Sequence, residues 1–120
     1  MPNLNFMSLM LNARQVGDVT VIDVSGRITL GEGSSVIRDE MRALTGKGNK
    51  KVLLNLGDVT YIDSSGIGEL VSGYTTMTNA GGVLKLLNLT KRVKDLLQIT
   101  KLYTVFDVYE DEAHAMRSFA

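Results

Sequence analysis

The feature that most constrains this chain is the run Val52-Leu-Leu-Asn-Leu56, set between Gly46-Lys47-Gly48-Asn49 and Gly57-Asp58. It is too short for a helix and nearly continuous in apolar residues, so it reads as a strand buried within a sheet. Segments of helical period stand on both sides of it. Val36, Ile37, Met41 and Leu44 recur on one face before the run, and Ile67, Leu70, Val71 and Tyr74 do so after it. Strand alternating with helix argues for an α/β fold.

The rest of the chain fits that frame. Met7 to Val16, the pair Gly17-Asp18, and Val19-Thr-Val-Ile-Asp-Val24 read as a hairpin with a Gly-Asp turn, continued by an extended Ser25 to Leu30. Gly31-Glu32-Gly33 breaks the chain before Ser34, a suitable N-cap for a helix running to about Thr45. Gly57 to Ile62 reads as a connection. Gly81-Gly82 ends the second helix, Val83 to Asn88 is a further strand, and Thr90 caps a third helix carrying Val93, Leu96 and Leu97. Tyr103 to Val108 is the expected last strand, and Glu110-Asp-Glu supplies acidic residues to the first turn of a closing helix that ends near Phe119. The expected architecture is one α/β domain over residues 1–120, a mixed sheet of four to five strands with helices packed mainly on one side.

Composition narrows the function. Thirteen Lys+Arg against thirteen Asp+Glu leave no net charge, which disfavours a nucleic-acid binder, since that needs a basic excess on one face. With no cysteine, a thiolate metal site, a disulfide scaffold and a cysteine nucleophile are excluded. No stretch approaches the roughly 18 apolar residues of a membrane span. Met1 to Met10 shows no basic region with a small-residue cleavage site, so a cytoplasmic location without membrane insertion is expected. A single histidine, His114, removes multi-histidine metal sites, and no metal or cofactor is expected.

The informative segment is Asp63-Ser64-Ser65-Gly66 at the entrance of the second helix. Either Asp63 or Ser64 can cap that helix by accepting from backbone N–H groups of the first turn. The helix also contains Gly66, Gly68 and Gly73, each costing roughly 1 kcal/mol relative to Ala in a helix interior. Cap geometry near the helix start and close packing of Gly73 on the sheet are one explanation for them, and a functional surface is the other. The outward face is unusual too. Ser65, Gly68, Ser72, Thr75, Thr76 and Asn79 fall there, and Glu69 is the only charge from Ser64 through Ala80. Small uncharged side chains have little rotamer entropy to lose, so this reads as a docking face for another protein, the alternative being a helix covered by the chain's own terminus. Phosphorylation of a serine at this spot adds about −1.5 to −2 charges, which the helix dipole tolerates and a docked partner does not.

Tyr61-Ile62-Asp63-Ser64-Ser65-Gly66-Ile67-Gly68, preceded by the Val52 to Leu56 strand and Asp58, resembles the signature of the STAS domain and, more narrowly, of the bacterial anti-sigma factor antagonists. The resemblance extends to the opening hairpin, to Ser25-Gly26-Arg27-Ile28 where the family has a Gly-x-Leu segment, to Gly81-Gly82 and to the closing helix. It implies a partner switch rather than an enzyme. The unphosphorylated antagonist binds an anti-sigma factor that is also a serine kinase and so frees the sigma factor, phosphorylation abolishes binding, and a serine phosphatase restores it. On this resemblance Ser64 is the phosphoacceptor, Asp63 its acidic neighbour, and Ser65 and Gly66 the turn completing the kinase-facing surface. Gly68 and Ser72 match partner-facing positions, and ATP belongs to the kinase. Thr29 departs from the family pattern, which often has Asp there, and Gly31-Glu32-Gly33 makes the same loop glycine-rich.

Other readings have their own residues. A hydrolase would need Ser64 with His114 as base, yet the Gly-x-Ser-x-Gly elbow is missing. Neither Gly31-x-Gly33 nor Gly46-x-Gly48 has phosphate-loop spacing. Lys91, Arg92 and Lys94 read as a solvated face. The resemblance also leaves open a docking subunit of a lipid-transporting ABC system, which requires docking without a phosphorylation cycle, or a stressosome-type scaffold.

Overall fold

The computed structural model describes residues 9–29 and 36–120. Strands β1 (Leu9–Val16) and β2 (Val19–Ile28) form an antiparallel hairpin, with Leu9 opposite Gly26 and Val16 opposite Val19. Gly17 takes φ +62° in the connecting turn, a left-handed conformation that glycine adopts without steric cost. Next come α1 (Val36–Gly46), β3 (Lys51–Ile62), α2 (Ser64–Asn79), β4 (Val83–Leu87), α3 (Lys91–Ile99), β5 (Val108–Tyr109) and α4 (Glu112–Ser118). The sheet order is β1-β2-β3-β4-β5, and β2 through β5 run parallel.

This order fixes where the helices go. Parallel neighbours need crossovers, and right-handed crossovers between successive adjacent strands place every crossover helix on the same face. Accordingly α1, α2 and α3 pack on one side over Ile22, Val24, Val52, Leu54, Leu56, Leu84 and Leu86. The opposite face carries the alternate residues Val19, Val21, Leu53 and Leu87, and α4 covers them with Ala115 and Phe119. β3 is thus buried on both faces, as its sequence requires. Ser34, expected to cap α1, and the Gly31-Glu32-Gly33 loop lie outside the described residues, as do Met7 and Ser8 at the start of the hairpin.

Two elements differ from expectation. β3 continues through Gly57 to Ile62, pairing Asp58 with Ser25 and Ile62 with Ile28 across two register shifts. The Gly57 N–H donates to Asn55 Oδ1 at 3.1 Å, so a side-chain acceptor supports the chain where the ladder shifts. The last strand is the second difference: it is Val108–Tyr109, and residues 103–106 form turns instead. There the Val105 N–H donates to the Leu102 carbonyl, Tyr103 is exposed, and Phe106 is buried edge-on to Tyr74 with ring centroids 5.3 Å apart. Packing of one aromatic ring into the core has overridden the β propensity of the run.

Candidate functional site

The end of β3 delivers the chain to α2 through Asp63, whose extended backbone (φ −123°, ψ −172°) is that of an N-cap. Its Oδ1 accepts from the Gly66 N–H at 2.9 Å, and its carbonyl accepts from the Ile67 N–H at 3.0 Å. Asp63 is therefore the cap, and Ser64 is the first helical residue. Ser64 and Ser65 are both exposed, and among the described residues no hydrogen bond holds either hydroxyl. The cap that orients this turn leaves the serine hydroxyls to solvent.

The three glycines of α2 have different reasons. A Cβ on Gly66 would collide with the Ile28 carbonyl and come within 2.7 Å of Ile62 Cγ1, so glycine lets the helix start against the end of β2. Gly73 packs not on the sheet, as expected, but on α1, where a Cβ would lie 2.9 Å from Ile37 Cγ2. At Gly68 a Cβ would meet nothing within 4 Å. Packing accounts for the first two, and the third stands on open surface.

The structure brings Asp63, Ser64, Ser65 and Gly66 together in one turn, with Ser64, Ser65 and Gly68 exposed, Ser72 partly buried and Gly66 buried. Thr75 and Asn79 continue the exposed face, and Ile67, Leu70, Gly73 and Met77 turn inward. Thr29, partly buried, follows the end of β2. His114 is not part of this site. It is on α4, across the sheet from α2, where its backbone N–H donates to Asp111 Oδ2 and its ring stacks edge-on against Tyr109. A Ser64–His114 pair cannot form.

One feature of the site escapes the sequence. Tyr61, just before the motif, has two guanidinium groups over its ring: Arg27 of β2, 5.0 Å from the ring centroid, and Arg92 of α3, at 4.4 Å. The Arg92 Nε–H also donates to the Ile62 carbonyl at 2.7 Å. Arg27 is the cross-strand partner of Tyr61, a pairing set by the register shift, and Arg92 reaches it from a separate crossover. Neither relation has a sequence spacing that announces it.

Comparison with known proteins agrees with this architecture. Residues 10–115 match the STAS domain family. The chain belongs to the STAS domain family. It is 29% identical over 102 residues to the anti-sigma-B factor antagonist of Bacillus subtilis, covering 85% of this chain and 92% of that one. The crystal structure of an anti-sigma factor antagonist from Mycobacterium paratuberculosis superposes with a TM-score of 0.79 at 17% identity, over 92% of this chain and 93% of that one. The Bacillus cell fate determinant SpoIIAA, solved in its phosphorylated form, superposes with a TM-score of 0.71 at 18% identity over 92% of this chain and 100% of that one. At these identities the solved structures establish the shared fold. Among the described residues no helix is long and apolar enough to cross a membrane.

Proposed function

We propose that this STAS chain is an anti-sigma factor antagonist that works by binding and not by turnover. Its unmodified α2 surface docks on a kinase-type anti-sigma factor and frees the sigma factor. Phosphorylation of Ser64 by that kinase ends the docking, and a serine phosphatase resets it. The observation that carries this reading is the exposed, unbonded Ser64 at an aspartate-capped helix start, beside a face of Ser65, Gly68, Ser72 and Thr75. Relatives named as anti-sigma factor antagonists give it support, and SpoIIAA has been solved in both unphosphorylated and phosphorylated forms.

The chemistry follows from position. Ser64 lies in the first turn of α2, where free N–H groups and the helix dipole tolerate a dianion, so the fold survives modification. A partner seated on the small-residue face would have to desolvate that dianion, which costs more than the contact returns. Asp63 keeps the turn in shape in both states, because its carboxylate is already engaged with the Gly66 N–H.

The test uses wild type, Ser64→Ala and Ser64→Asp as baits in a lysate of the native host, with captured proteins identified by mass spectrometry. A kinase-type ATPase captured by wild type and Ser64→Ala, and at least about tenfold less by Ser64→Asp, is the expected result, equivalent to about 1.4 kcal/mol. Equal capture by all three baits overturns the switch. Recovery of a transporter ATPase in that equal pattern would make the surface a permanent docking subunit.

A further inference from the structure

We infer that Arg27 and Arg92, both held over the ring of Tyr61, form a guanidinium clamp that receives the phosphate of phosphorylated Ser64. The inference rests on Ser64 as phosphoacceptor and adds what the modified side chain binds within its own molecule. The two cations come from different elements, β2 and α3, and meet at the residue three positions before Ser64. Stacking on the aromatic ring holds each guanidinium in place without using its N–H donors.

Those donors are available. The Arg92 Nε–H goes to the Ile62 carbonyl, and among the described residues no further hydrogen bond and no carboxylate engages the Arg92 guanidinium. Arg27 likewise has no carboxylate partner among them. Arg14, by contrast, is held by two carboxylates. Asp63, the acidic group nearest in sequence, has its Oδ1 on the Gly66 N–H.

The distances permit the contact. With consecutive Cα atoms about 3.8 Å apart, the Ser64 Cα lies no more than about 7.6 Å from that of Ile62. A phosphate on Ser64 Oγ reaches several bonds beyond its Cα, and Arg92 already ends on the carbonyl of Ile62, two residues before it. Guanidinium is also the side chain best matched to a tetrahedral oxyanion, since its fork can donate two parallel N–H bonds. The clamp gives the modified protein a defined second state, with the dianion fixed at the edge of the docking face.

Phosphoserine installed at position 64 by genetic code expansion makes the test independent of any kinase, so it stands even if cells never modify Ser64. The phosphate is titrated by 31P NMR in the wild-type, Arg27→Gln, and Arg27→Gln/Arg92→Gln backgrounds. Nearby cations favour the dianion, so the wild-type midpoint should lie roughly half a pH unit below that of the double variant, with Arg27→Gln between them. Because Arg92 also holds the Ile62 carbonyl, Arg27→Gln is the arm that leaves the turn intact, and its midpoint must rise on its own. Equal midpoints in wild type and Arg27→Gln overturn the clamp.

Discussion

Helices α2 and α4 begin in the same way and end in different roles. Each is capped by an aspartate whose carboxylate accepts from the N–H three residues on, Asp63 from Gly66 and Asp111 from His114. After the cap they diverge. The first residue of α4, Glu112, is bound to Arg14 at 2.7 Å, and Arg14 also grips Asp23. At its other end Lys85 Nζ donates to the Ser118 carbonyl and Oγ, and Phe119 is buried against the sheet. The exposed first turn of α2 has two serines instead. A cap alone therefore marks a helix start, and the docking site proposed on α2 lies where the two serines after the cap are left without internal partners.

The largest break in this contrast should come from Gly66→Ala. Its Cβ would strike the Ile28 carbonyl, a backbone atom that cannot turn aside, so a loss of about 3 kcal/mol or more in chemical denaturation is expected. The start of α2 is thus rigidly seated from below while its outer side stays open. A loss under about 1 kcal/mol would mean that the turn is loosely placed and that the Ser64 geometry is not fixed by packing.

A smaller effect should come from the anchor of α4. Arg14→Ala removes bonds to Asp23 and Glu112, but all three side chains are between 29% and 38% exposed, so solvent limits the cost to about 1 kcal/mol. The Arg14 guanidinium holds both carboxyls below their ordinary pKa by hydrogen bonding. Groups depressed in this way add stability above their unfolded pKa, near about 4, and lose it as pH falls through the lower native value. The gap in stability between wild type and Arg14→Ala should be full at neutral pH and close progressively below about pH 4. Binding by the α2 surface should not change, since the sheet separates the two helices.

Much of this was legible in the residues and some was not. The apolar run at Val52, the glycine pairs and the spacing of Ile67, Leu70 and Tyr74 carried the fold, because burial on both faces of β3 leaves few alternatives. Asp63-Ser64-Ser65-Gly66 announced the start of α2 because capping is local chemistry. The final strand misled because Tyr103, Val105 and Phe106 have strand-like propensity, while the core required one ring from that segment beside Tyr74. The arginines around Tyr61 were hidden for a related reason. Their meeting depends on a register shift between β2 and β3 and on the placement of α3, both long-range outcomes.

Gly68→Ala is the smallest change, and it separates the two roles of α2 most cleanly. Glycine inside a helix costs roughly 1 kcal/mol against alanine, and at Gly68 a Cβ would meet nothing within 4 Å, so the variant should be more stable by somewhat under about 1 kcal/mol. Gly66 is needed by the fold, whereas Gly68 is not. If its bare backbone lets a partner approach α2 closely, the same methyl group that stabilises the free protein should weaken docking several-fold. Denaturation and partner capture on one preparation would read both signs. A stabilised variant that docks as well as wild type would remove Gly68 from the contact surface and shift it toward Ser64 and Ser65.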